Sequence, residues 1–104
     1  MKEVSVAELK QKMDNNEDFQ LIDVRETFEY EVSNLGGLNI PLSGILIESG
    51  KIAKDKPVIV QCRSGKRSAQ AVMVLEQQGF DNLANLQGGI LAWKEEIDPE
   101  LDVY

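Results

Sequence analysis

Cys62 is the only cysteine of the chain, and the residues that follow it are Arg63-Ser64-Gly65-Lys66-Arg67-Ser68. Three of the eleven Lys and Arg residues of the chain therefore fall within five positions of its one thiol. A thiol so placed has its pKa pulled below the ordinary value of about 8.5, and the thiolate is the form that attacks electrophiles. Upstream, Pro57-Val58-Ile59-Val60-Gln61 is a continuous run rich in β-branched residues, which predicts a strand buried on both faces. The amphipathic segment after Ser68 predicts a helix, so the five residues after Cys62 join strand end to helix start. Unpaired N–H groups and the dipole at that helix start favour an anion. Gly65 lets the loop curl so that successive N–H groups point inward. The plain alternative is a small, inert core cysteine. Against it stand a glycine and three cations where packing partners would be needed.

The rest of the composition narrows the chemistry. One hundred and four residues, 42% of them hydrophobic, suit one core, and the expectation is a single domain over 1–104. The net charge is −7. A chain so acidic repels nucleic-acid phosphates, so no nucleic-acid partner is expected and the cationic loop suits a small anion instead. There is no histidine. That removes any Cys–His dyad and the usual zinc partners, and a single cysteine forms neither an internal disulfide nor a CxxC motif. No metal or other cofactor is expected. Met1-Lys2-Glu3-Val4-Ser5 carries charge where a signal peptide needs an apolar run, and nothing approaches a membrane span. The expectation is a cytoplasmic protein without a membrane partner, Met1 being taken as the natural start.

Taken in order, the chain alternates helices and strands. Ser5-Val6-Ala7-Glu8 has the form of a capping box and predicts a helix over Val6 to Met13. Asp14 to Asp18 is a polar turn leading to a strand over Phe19 to Val24. Asp23 and Arg25, two apart at that strand's end, read as a loop brace, with contact to substrate the lesser alternative. Glu26 to Tyr30 reads as a brief helix, Ser33 to Gly37 as turns, and Leu38 to Leu42 as a short strand closed by Pro41. Apolar residues from Ala69 to Leu75 crowd nearly all faces of the next helix, predicting deep packing, with Gly79 at its left-handed end. Asn82 to Leu86 predicts the last strand. Gln87-Gly88-Gly89 turns into a final helix bearing Ile90, Leu91, Trp93 and Ile97, which Asp98-Pro99 stops. Trp93 reads as core. This alternation predicts an α/β fold with a central, mostly parallel sheet flanked by helices on both faces. Ligands of such sheets sit beyond the carboxyl ends of the strands, where Cys62 and the Asp23–Arg25 stretch both fall.

Four stretches together resemble the rhodanese-like domains, the sulfurtransferase family: Leu21-Ile22-Asp23-Val24-Arg25-Glu26, Leu38-Asn39-Ile40-Pro41-Leu42, Cys62 to Ser68, and Leu86-Gln87-Gly88-Gly89 with Ala92-Trp93. The resemblance implies that Cys62 forms a persulfide and that the backbone from Arg63 through Ser64, Gly65 and Lys66 to Arg67 cradles it. It also implies that Asp23 and Arg25 support the site wall; Ser68 closes the loop. The family usually has Gly-His-Ile before its Pro-bearing strand, and this chain has Ser33-Asn34-Leu35. The ending, from Trp93 to Tyr104, is similar to rhodanese domains fused behind enzymes that activate ubiquitin-like sulfur carriers in molybdopterin or thiamine synthesis. The activity implied is movement of a sulfane sulfur from a small anionic donor, thiosulfate or a persulfide, through Cys62 to cyanide, a thiol or a sulfur-carrier protein. Two other readings stay open. A cysteine phosphatase or arsenate reductase uses a similar loop but carries an arginine where this chain has Ser68, and a non-catalytic interaction module would share the fold.

Overall fold

The computed structural model describes residues 1–104. Five strands form one sheet: Glu3–Val4 (β1), Gln20–Asp23 (β2), Leu38–Asn39 (β3), Val58–Gln61 (β4) and Leu83–Leu86 (β5). Every pairing is parallel, in the order β1-β5-β4-β2-β3. Three helices connect strands, Val6–Asp14 (α1), Thr27–Val32 (α2) and Lys66–Gln77 (α3), and a fourth, Gly89–Glu96 (α4), follows β5. β4 lies at the centre, which is why Val58, Ile59, Val60 and Gln61 are all buried.

The two-residue period of the strands splits the core into two clusters, one on each side of the sheet. Ile22, Val58, Val60 and Cys62 pack with Ala71, Val72 and Leu75 of α3. Leu21, Ile59, Ala84 and Leu86 pack on the other side with Val6 and Leu9 of α1 and Trp93 of α4. The helices therefore cover both faces, and no helix is long and apolar enough to cross a membrane.

The local signals hold where they rest on specific chemistry. Ser5 Oγ accepts the Glu8 N–H at 3.1 Å and Glu8 Oε1 accepts the Ser5 N–H at 3.0 Å, so the capping box that starts α1 is complete. At the end of α3, Gly79 has φ +98°. The N–H of Phe80 bonds to Leu75 O and that of Gly79 to Glu76 O, the paired closure that a left-handed glycine permits.

Four expectations need correction. α3 begins at Lys66, two residues before Ser68, so only Arg63, Ser64 and Gly65 separate Cys62 from the helix. Its packing is one-sided: Met73 is 55% exposed, because one face of α3 meets the sheet and the opposite face meets water. The third strand stops at Asn39, and after Pro41 the chain turns into a 3-10 helix over Leu42–Gly44. β1 was not expected at all. It is two residues long, too short to show a period, and exists only because β5 offers it an edge.

Candidate active site

Cys62 follows β4 at the carboxyl end of the sheet and is 1% exposed. Its Sγ accepts hydrogen bonds from the N–H of Gly65 at 3.1 Å and of Ser68 at 3.4 Å, and lies 3.4 Å from Ser68 Oγ. These N–H groups belong to the first turn of α3 and its cap. Gly65 caps that helix with no side-chain hydrogen bond of its own, at φ +101°, a conformation that side chains with a Cβ rarely adopt. The sulfur occupies the place that a capping oxygen fills elsewhere. Burial pushes the thiol up, but the hydrogen bonds from Ser68, by hydroxyl and by backbone, and from the Gly65 and Ser64 backbones outweigh it, so the pKa is lowered.

The loop's carbonyls are held from the other side. Ile90 N–H bonds to Cys62 O at 2.9 Å and Leu91 N–H to Arg63 O at 3.1 Å, so the first turn of α4 fixes the peptide planes of the loop. This contact requires Gly89. A Cβ there would lie 2.4 Å from Cys62 O and 2.6 Å from the Arg63 carbonyl carbon, and its φ is +60°. With the carbonyls turned toward α4, the N–H groups are left for the sulfur.

Ser68 has a second partner. Its hydroxyl donates to Asn85 Oδ1, whose orientation is fixed because Asn85 Nδ2 donates to Glu3 Oε2 at 3.0 Å and to Gly65 O at 3.2 Å. A hydroxyl has one proton, so Ser68 serves either Asn85 or the thiolate at a given moment. As a thiol, Cys62 is able to donate to Ser68 Oγ. β1, through Glu3, is thereby tied to the loop.

The three loop cations do different things. Arg67 forms a two-bond pair with Glu29 at 2.7 and 3.0 Å, and its side chain is 34% exposed while that of Glu29 is 6% exposed. The Arg67 guanidinium, helped by the Glu26 N–H, holds the Glu29 carboxyl below the usual range despite burial. Arg63 is exposed, and its Nε donates to Tyr104 O at 2.7 Å. Lys66 is exposed on the first turn of α3. The simple picture of three charges facing one anion is thus corrected, because Glu29 neutralises Arg67.

Asp23 and Arg25 form a pair whose side chains are 1% and 0% exposed. Arg25 Nη2 meets Asp23 Oδ2 at 2.8 Å and Ser33 O at 2.7 Å, and Gln61 Nε2 donates to Asp23 Oδ2 at 2.6 Å. So enclosed a pair makes no contact with a ligand in solvent; it joins β2 to β4 and to the chain after α2. Asn34 braces a turn, donating to Tyr30 O at 3.2 Å and accepting Gly36 N–H at 2.9 Å.

Asn85, Gly89 and Glu29 were not anticipated. Asn85 left a readable trace, being a polar residue in a short apolar strand, where burial demands a partner. Glu29 left none: its partner Arg67 is 38 residues away.

The family profile of the Rhodanese-like domain matches residues 5–96. The chain is 39% identical over 92 residues to a "Sulfurtransferase" of Allochromatium vinosum, covering 88% of this chain and 86% of that protein. It is 34% identical over 106 residues to the "Probable adenylyltransferase/sulfurtransferase MoeZ" of Mycobacterium tuberculosis, covering 97% of this chain but only 26% of that longer protein. A rhodanese-like domain protein of Staphylococcus aureus superposes with a TM-score of 0.85 at 30% identity, over 100% of this chain and 99% of that one. With the family profile covering residues 5–96 and the fold shared with the Staphylococcus aureus protein, the chain belongs to the rhodanese-like domain family, whose relatives support sulfur transfer as its general activity.

Proposed function

We propose that the protein transfers a sulfane sulfur through a persulfide on Cys62. The thiolate attacks the outer sulfur of thiosulfate or of a persulfide donor; the new S–S bond forms as the donor's own S–S bond breaks, and sulfite or a thiolate departs with the bonding pair. A second nucleophile then removes the outer sulfur and returns the Cys62 thiolate. The observation that carries the reading is the set of hydrogen bonds from Gly65 and Ser68 onto Sγ, fixed in place before any reaction. Donors that need no rearrangement are the ones that stabilise developing charge most. The curl that brings them together gives the backbone of Arg63, Ser64, Gly65, Lys66 and Arg67 the role of cradle for the outer sulfur.

There is no second cysteine to resolve the persulfide. The acceptor therefore lies outside these 104 residues: cyanide in the test tube, and a thiol or the activated carboxyl terminus of a sulfur carrier in the cell. The likeness to part of MoeZ favours the last, as a sulfur-relay domain. A reducing cytoplasm suits a lone activated thiol. Incubation with thiosulfate is expected to raise the intact mass by one sulfur, roughly 32 Da by atomic mass, and cyanide is expected to remove it. An unchanged mass, or the same adduct on Cys62→Ala, defeats the reading.

A further inference from the structure

The salt bridge between Arg67 and Glu29 lies beside an open cleft of about 430 Å³ lined by Val24, Glu26, Leu42, Ser43 and Arg67. The cleft reaches the first turn of α3 through Arg67, the residue before the Ser68 that bonds Sγ. Its charge is unusual for an anion site. The one cation lining it is engaged by both oxygens of a buried carboxylate, and the other ionisable group at its wall is a second carboxylate, Glu26. The remaining walls are Val24, Leu42 and Ser43. A guanidinium bound on two bonds by Glu29 offers an anion little net charge, and Glu26 repels it.

Resting on the persulfide reading above, we infer that Glu29 sets the donor preference: by holding Arg67 it withholds a positive charge from the cleft, favouring monoanionic organic persulfides over the dianion thiosulfate. Glu29 touches no reacting atom and acts through Arg67, as a positioning residue. Both donors obey the same balance. Thiosulfate releases sulfite, which keeps two negative charges in the cleft, whereas an organic persulfide releases one thiolate on an apolar group that suits Val24 and Leu42. Lys66 and Arg63 remain outside this pairing and draw in anions of either kind.

The test is steady-state sulfur transfer to cyanide with thiosulfate and with 2-hydroxyethyl persulfide, at two ionic strengths, for wild type, Glu29→Gln and the double variant Glu29→Gln with Arg67→Gln. Glutamine keeps an oxygen for the Glu26 N–H while lowering the hold on Arg67. Glu29→Gln is expected to lower the ratio of the thiosulfate KM to the persulfide KM about fivefold, the effect of one added partly screened charge. The gain is expected to shrink at high salt and to vanish in the double variant. A ratio unmoved by Glu29→Gln, or a gain that survives loss of Arg67, overturns the inference. Should Glu29→Gln unfold, judged by circular dichroism, Glu29→Ala replaces it: it removes the same carboxylate from Arg67, and the same fall in the ratio is expected. Absence of a Cys62 adduct from either donor would instead defeat the persulfide reading itself.

Discussion

Two helix starts in this protein are built from opposite principles. α1 begins with Ser5 and Glu8 satisfying each other's backbone donors, so its free N–H groups are consumed by the protein's own side chains. α3 begins with Gly65, which offers no side chain, and its N–H groups converge on Cys62 Sγ. An N-cap side chain contributes about 1 kcal/mol of stability. A glycine cap such as Gly65 forgoes only a few tenths of a kcal/mol of that, and at α3 the donors are kept for the Cys62 sulfur. α4 shows a third solution, with its first N–H groups given to the carbonyls of Cys62 and Arg63. One helix start is closed for stability, one holds the Cys62 sulfur, and one holds the loop that holds that sulfur.

The largest effect is expected from breaking the third arrangement. Gly89→Ala puts a Cβ 2.4 Å from the Cys62 carbonyl, and since the facing atoms are backbone the loop itself must move. Persulfide formation is expected to fall at least about 100-fold, as reacting groups lose their alignment. Overpacking of this kind costs about 2–3 kcal/mol, visible as a drop of more than about 8 °C in Tm. Wild-type rates at a lowered Tm would show that α4 supports the fold and leaves the cradle alone.

Ser68→Ala acts on the second helix start without disturbing its backbone. The hydroxyl bond to Sγ goes and the two N–H bonds remain, so the thiol pKa is expected to rise toward the ordinary value near 8.5 and transfer at neutral pH to fall about tenfold. The measurement is the rate of Cys62 alkylation against pH, whose midpoint moves up in the variant. The sign extends to stability. A folded-state pKa held below the unfolded one stabilises the native protein above the unfolded value, and that increment is lost as pH falls through the folded pKa. Comparing wild type with Cys62→Ala by urea unfolding across pH 6 to 10, an interval that includes the ordinary thiol pKa of about 8.5, is expected to show the wild type gaining stability with rising pH.

Ser5→Ala gives the smallest effect and sharpens the contrast most. Loss of the cap is expected to cost about 1 kcal/mol, a few degrees in Tm, while persulfide formation per folded molecule stays at the wild-type rate. A slower reaction in this variant would mean that the two helix starts are coupled through β1 and Glu3.

The same contrast explains what was legible in the residues. The cap of α1, the buried run of β4, the left-handed Gly79 and the junction around Cys62 are each written in neighbours within a few positions, where spacing carries the information. The partners of the loop are not. Gly89 approaches Cys62 from 27 positions away, and its role depends on the path of the backbone. Asn85 stands out only as a polar residue in an apolar strand, and the pairing of Arg67 with Glu29 is fixed by how α2 lies beside α3's first turn. The late start assigned to α3 has a related cause: Lys66 and Arg67 read as loop charges, yet both are good helix formers once Gly65 has made the turn.

The pinning of Cys62 and Arg63 by α4 also bears on the protein's birth at the ribosome. Cys62 emerges well before Ile90 and Leu91, and β5, which lies between them in the chain, is also the strand that anchors β1 at the other end of the sequence. Such long-range pairings close late. A nascent chain cut short before Gly89 owns the thiol but lacks the two N–H groups that fix the Cys62 and Arg63 carbonyls. Synthesis thus delivers Cys62 before the helix that fixes the carbonyls of its loop.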